Sequence, residues 1–305
     1  MKLGVWGRVA GLGVLCALAW GAAPAIAYTN MSGVWSADYG EDWPDRIPGP
    51  ELGDYGGLPL NDADRLHAKS WDASLIALPE YQCRVHPSDY ANSFADIRIW
   101  EERDRKSQNL VAIHLHHFAW STERTIWMDG RPHPPEYALH TAMGFSTGEY
   151  KGHVLVVHTD HLSEGWLRRN GVDRSDKASV TEYFVRHGDH LIWTVVIHDP
   201  TYLDADFVRN RDYIYSDTDQ IGAYPCESVV EIVRPKGYIP SHFMGDNPFL
   251  KEYAINHRIP FEAAMGGAKT MYPEYMKEIR KMPLPPPPAP GHGDTTNNLF
   301  GGRQQ

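Results

Sequence analysis

Cysteine is scarce in this chain, with three in 305 residues, at positions 16, 83 and 226. Positive charge is short as well: 29 Lys and Arg stand against 39 Asp and Glu, a formal charge of −10. A surface with that balance repels phosphate backbones, so no nucleic-acid partner is expected. After residue 27 no apolar run is long enough to cross a bilayer as a helix. Several catalytic signatures are missing too, including a phosphate-binding glycine loop, a dinucleotide fingerprint and an H-E-x-x-H helix. Gly144-Phe145-Ser146-Thr147-Gly148 fits G-x-S-x-G in its letters. It lacks the strong preceding strand and following helix that expose a nucleophile, so it is read as coincidence.

The first 27 residues have the layout of a secretory signal peptide. Lys2 and Arg8 supply the positive start, Val9–Ala23 an apolar run, and Ala25-Ile26-Ala27 a cleavage pattern after Ala27. Cys16 lies inside the apolar run after Val-Leu, which is not a lipoprotein context. A periplasmic or secreted protein without a stable membrane anchor is expected. Lys2 and Arg8 leave with the leader, so residues 28–305 carry 27 basic and 39 acidic residues, a formal charge of −12. An oxidising compartment and an even remaining cysteine count favour a Cys83–Cys226 disulfide over two separate buried thiols.

Residues 28–95 read as an irregular, Gly- and Pro-rich extension with one short helix capped by Asn61, its apolar side formed by Leu66 and Trp71. From 96 to 235 the pattern turns to period two. Strands are predicted at 96–103, 110–119, 123–129, 153–162, 177–187, 190–198, 205–216 and 227–234, with turns at Asp129-Gly130, Lys151-Gly152 and His187-Gly188-Asp189. Short connections favour antiparallel pairing, and about eight strands in meander order suit a closed barrel able to hold one small ligand. A two-sheet sandwich is the rival architecture. Residues 236–282 regain helical character around Asn247–Ile255, Phe261–Ala264 and Pro273–Lys281, and 283–305 form a Pro-rich tail expected to be disordered or polyproline.

Four stretches recur in this order in a group of exported bacterial proteins: WDASLIALPEYQC at 71–83, ERTIWMDGRPHPPEY at 123–137, GFSTGEYKGH at 144–153 and LRRNGVDRSDKASVTEYFVRHGD at 167–189. Over roughly residues 60–275 the chain resembles that group, departing from its pattern with Tyr150 in place of Trp and His153 in place of Asp. The resemblance implies a mainly β, antiparallel lipocalin-like barrel with short N- and C-terminal helical extensions, and it implies export. It implies no activity.

Histidine is the residue in excess, with 16 copies. His114 and His116 share one face of a predicted strand, opposite the apolar Val111, Ile113 and Leu115. With His140 or His161 as a third ligand they could hold a divalent transition metal such as Zn; otherwise they line a polar pocket or the surface. His161, at a strand end, is a candidate for proton transfer at a barrel mouth or a loop anchor. Arg168 and Arg169 could grip a ligand carboxylate, or pair with Asp173 and Asp176. Glu182, flanked on its face by Val180 and Phe184, is a candidate acid or base, or a buried partner for Arg186 or Arg209. Asp199 begins a turn and is a further catalytic candidate, and His133 sits in a hairpin fixed by glycine and prolines.

Two functions remain open on this pattern. One is an exported enzyme, a non-redox lyase, isomerase or hydrolase, binding a small apolar or aromatic molecule and working through His161, Glu182, Arg169 and Asp199, with metal assistance at His114, His116 and His140. The other is a noncatalytic periplasmic ligand carrier or metal-binding protein.

Overall fold

Alternation decides the architecture. In His190–His198 the residues Leu191, Trp193, Val195 and Ile197 are fully buried, while those between them face outward. Such a strand has one dry face and requires a closed or covered sheet. The computed structural model describes residues 28–38, 50–91, 95–118, 122–224, 226–227, 229 and 232–288. The proposed signal peptide, and all of the tail beyond residue 288, lie outside the described residues.

Nine strands form one closed barrel: β1 (Gly33–Ala37), β2 (Ile97–Arg103), β3 (Leu110–His117), β4 (Thr122–Trp127), β5 (Phe145–Lys151), β6 (Val154–Asp160), β9 (Ser179–His187), β10 (His190–His198) and β11 (Phe207–Ser216). Two more, β7 (Gly165–Arg168) and β8 (Val172–Arg174), form a separate hairpin between β6 and β9. The wall runs β1-β11-β10-β9-β6-β5-β4-β3-β2 and closes from β2 back to β1. The expected mainly β barrel with flanking short helices is therefore present, and the sandwich is not.

Three expectations are corrected. Closure is made by β1, from the segment read as irregular, which pairs Trp35 with both Ile97 and Tyr215. Since β1 occupies the free edge of β11, the predicted strand at 227–234 has no place in the wall: its described residues form no strand, and Val233 is fully exposed. The Asp129-Gly130 signal makes no hairpin. Residues 128–144 cross over instead, so β4 and β5 run parallel, sharing only the pairs Ile126↔Ser146 and Trp127↔Thr147.

The barrel axis is packed. Trp193 stacks on Phe184 at 4.9 Å and lies against Tyr213 and His117, with Trp35, Ile97, Ile113, Leu115 and Val157 buried around them. One ion pair sits in this interior. Arg124 of β4 donates from Nη1 to Glu182 Oε1 of β9 at 2.9 Å and from Nη2 to Oε2. Its guanidinium also bonds Ser146 of β5 and Thr159 of β6, while Trp193 Nε1 of β10 donates to Glu182 at 3.0 Å. Both charged side chains are about 1 % exposed.

A second layer covers the barrel end where β6 finishes and β9 begins. Helix α1 (Asp62–Ser70) starts at Asn61, whose Oδ1 accepts from Ala63 N and Asp64 N. Its buried side holds Asp64 and Ala68 rather than Leu66, which is exposed. Gly171, between β7 and β8, explains how this layer docks: φ is +91°, and a Cβ there would stand 2.5 Å from Trp71 Cβ. Cys83 and Cys226 form the expected disulfide across 143 residues. The C-terminal pieces Pro248–Asn256, Phe261–Ala264 and Pro273–Ile279 are helical as predicted and bind the same layer, with Asn247 Nδ2 donating to the carbonyls of Lys69 and Trp71. No helix among the described residues is long and apolar enough to cross a membrane.

Removing one partner of a buried pair strands the other charge, so Glu182→Leu should destabilise the fold by about 3–5 kcal/mol. Urea unfolding checks this. Arg124→Met combined with Glu182→Leu should recover part of the loss, because Ser146 and Thr159 still bond each other at 2.9 Å. A double variant no better than the single one would refute the explanation.

Candidate functional site

The covering layer leaves a cavity of about 340 Å³ between the end of α1, the Tyr81–Pro87 segment, the β7–β8 hairpin and the Pro240-Ser241 turn. Its size lies within the range of small-molecule sites. The wall is aromatic: Trp166 of β7 meets Trp71 edge-on at 5.9 Å, Tyr81 face-on at 5.9 Å and His86 edge-on at 5.6 Å. Gly165 lets Pro87 approach, since a Cβ there would sit 2.3 Å from Pro87 Cγ. Arg174 and Asp89, both fully buried, pair at 3.1 Å and tie β8 to the short helix Ser88–Ala91.

Acid groups converge on this wall. Asp173 Oδ2 lies 3.2 Å from His67 Nδ1, and the Asp173 N–H donates to Asp64 Oδ1 at 3.2 Å. Burial pushes the Asp173 carboxyl up to about 8, with the Glu164 charge adding to the rise and Arg174 and Arg84 opposing it. Burial likewise pushes Asp64 up to about 7 against the stabilising N–H of Asp173. His86 is driven down to about 3 by burial and by the nearby Arg169 and Arg84, so it is neutral. Two atoms of lining residues, Trp71 Nε1 and Asp173 Oδ1, are buried behind the wall and have no hydrogen-bond partner among the described residues.

The residues singled out from sequence lie elsewhere. Glu182 is inside the barrel, and its partner is Arg124 rather than Arg186 or Arg209. Asp199 accepts from Ser175 N and Oγ and from Thr201 N at 2.6–2.9 Å, stapling the start of β9 to the β10–β11 turn. Arg168 reaches Asp54 at 3.2 Å rather than Asp173 or Asp176, and Arg169 is half-buried beside Tyr90 and His86. His114 and His116 share a face as predicted, the outer one, where His114 bonds Glu102 and Thr125 and His116 lies 3.3 Å from Glu123. His140 contacts the Leu162 carbonyl and the ring of His161. Among the described residues no three His, Cys, Asp or Glu side chains converge as a metal site. Ser146 of the G-x-S-x-G match is buried against Arg124.

His161 has a defined task. Its Nδ1 lies 2.7 Å from Asp160 Oδ1 and its Nε2 lies 3.0 Å from the Pro135 carbonyl. Both neighbours are acceptors, so the arrangement favours the imidazolium, in which both ring nitrogens donate. The Asp160 hydrogen bond raises its pKa accordingly, outweighing burial. Asp160 also faces His133 Nδ1 at 2.8 Å, and His133 Nε2 meets Thr147 Oγ1 at 2.7 Å. One carboxylate thus clamps the 128–144 crossover to β5 and β6. His161 holds this position with φ +53°, a conformation uncommon outside glycine and asparagine.

No family model matches the chain, and no curated protein sequence matches it. Among solved structures, it is similar to the fluorescent protein UnaG, as wild type and as a point mutant. Both alignments have 10 % identity and a TM-score of 0.28, covering 61 % of this chain and 97 % and 96 % of the UnaG chains. Likeness at that level carries no argument about ligand or activity.

A raised His161 pKa stabilises the clamp fully below the unfolded value and fades as pH climbs through the folded value. Asp160, lowered by His161 and His133 against the effect of burial, contributes above its unfolded value and fades in acid. Proteolysis within 128–144 should therefore be slower near pH 5.5 than near pH 9. His161→Asn, which tolerates the backbone angle, should abolish that difference; a variant with the unchanged profile would exclude the imidazolium clamp.

Proposed function

We propose that the protein binds a small organic molecule with an aromatic or apolar body in the cavity bounded by Trp71, Tyr81, Trp166 and Asp173, and that it does so as a carrier or sensor without chemical turnover. The observation that carries this reading is the aromatic lining of the cavity of about 340 Å³, where Trp71, Tyr81 and His86 pack on Trp166 at ring distances of 5.6–5.9 Å. His67, Ser163 and Glu164 add polar groups to that lining for a matching group on the ligand. The aromatic wall supplies a flat apolar surface for the rest of the molecule.

Binding is favoured over catalysis by where the titratable groups are committed. Glu182, Asp199 and His161 each spend their polar atoms on partners within the fold. We further infer export to the periplasm or medium, on the signal-like first 27 residues together with the Cys83–Cys226 bridge, which suits an oxidising compartment.

The test is to identify molecules retained by the purified protein by native mass spectrometry, and to titrate planar aromatic probes by calorimetry. Val85 is exposed at the cavity rim, so Val85→Trp should obstruct entry without disturbing the core. Saturable binding weakened about tenfold or more by that substitution is expected, equivalent to about 1.4 kcal/mol. Binding unaffected by Val85→Trp, or absent for every probe, refutes the assignment.

A further inference from the structure

We propose that the protein pairs with a second copy of itself through the outer wall of β6, β9 and β10, about a two-fold axis running along β9. The register across this wall is continuous. One row reads Lys151, Val154, Val185, Ile192 and Asp212 from β5 to β11, each residue paired with the next. The row beside it reads Glu149, Val156, Tyr183, Thr194 and Asn210. Both rows face outward, because the residues that alternate with them, among them Leu155, Phe184, Trp193 and Tyr213, are buried in the core.

The middle of each row is uncharged and open to solvent. Tyr183 is 38 % exposed, and on β11 Val208 is 58 % and Ile214 41 % exposed. The helices that touch the strands pack on β4, β7 and β8 instead. In a chain of formal charge −10, β9 and β10 present no outward acid along their whole length. A contiguous apolar wall of this kind marks a protein contact.

A second copy fits because the row ends carry opposite charges. Two-fold rotation about an axis along β9 brings β5 of one copy onto β11 of the other and β6 onto β10, and leaves each row in place. Lys151 then meets the partner's Asp212, and Asp212 meets the partner's Lys151. Between them Val154 meets the partner's Ile192, and Val185 meets its own counterpart. Within one chain Lys151 lies 2.9 Å from Glu149 and Asp212 lies 3.1 Å from His190, surface pairs that exchange readily for others. A closed barrel is convex, so two walls touch over about three strands, roughly 300 Å² on each copy. A stable dimer buries about 800 Å² per partner, so this pair is weak and reversible. The inference is independent of the ligand reading, since none of these residues lines the cavity.

Sedimentation velocity on the signal-cleaved protein, from about 10 µM to about 1 mM, tests the pairing. The wild type is expected to shift from monomer toward dimer over that range. Lys151→Glu sets an acid against the partner's Asp212, and Asp212→Lys sets a cation against the partner's Lys151. Each variant alone should therefore associate at least about tenfold more weakly. Mixed in equal amounts, the two variants should recover association to within about threefold of the wild type, because every contact then joins opposite charges. That recovery requires positions 151 and 212 to meet across the axis. Both side chains are on the surface, so neither variant disturbs the core. A wild type that is monomeric throughout overturns the pairing and leaves the wall to a different partner. A dimer that ignores both substitutions, or a mixture no better than its components, puts the contact on another surface and overturns it as well.

Discussion

The guanidinium of Arg124 is the point on which the barrel depends. The weakest seam of the wall is β4 against β5, a parallel contact with only two paired positions. Backbone hydrogen bonding across so short a register is sparse, and a strand pair of that length is marginal without further support. Arg124 crosses this seam from β4 to Ser146 on β5, continues to Thr159 on β6, and ends on Glu182 of β9, which in turn takes the indole N–H of Trp193 on β10. Five consecutive wall strands are thus joined by one buried network. Networks of this kind are costly when partly satisfied and specific when complete, which fits their use at the parallel join.

The same seam shapes the outside. A parallel join needs a crossover, and residues 128–144 supply it. Asp160 and its two histidines hold that crossover down, and Ala142 near its end lines the cavity and accepts from Ser88 N. The interior network and the cavity wall are therefore mechanically connected through one loop. A long loop carrying function on a rigid barrel is the usual division of labour in β-proteins.

What the sequence revealed followed the range of the interactions. The β9–β10 hairpin, the Asn61 cap and the helices at Phe261–Ala264 and Pro273–Ile279 depend on neighbours a few residues away, and periodicity or capping chemistry marked them. Alternation correctly placed Glu182 with Val180 and Phe184 on the inner face, but parity alone cannot say which distant arginine meets it. Closure by Gly33–Ala37 was hidden for a similar reason, since five residues give little period and their partners lie at Ile97 and Tyr215. The candidate cavity was missed because its lining comes from loops and helix ends. Its signal was nevertheless on the page: the stretches 71–83 and 167–189, singled out by resemblance, contribute Trp71, Tyr81 and Asp173.

That the cavity lies in a covering layer raises the question of what keeps it open to one shape. Its Arg84–Pro87 wall has no regular structure, so it gains no rigidity from a helix or a ladder. Both ends of that wall are fixed by long-range links. Cys83 bonds Cys226 at one end; at the other, Ser88 N holds the Ala142 carbonyl and Asp89 holds Arg174. Glu80, just upstream, pairs with Arg234 from the same distant segment as Cys226. The ordering entropy of the wall is thereby met during folding and not when a ligand arrives, which is the condition under which a small cavity can bind with useful affinity. Loss of the disulfide would remove one of these links and leave the Arg84–Pro87 wall held by Ser88, Asp89 and the Glu80–Arg234 pair.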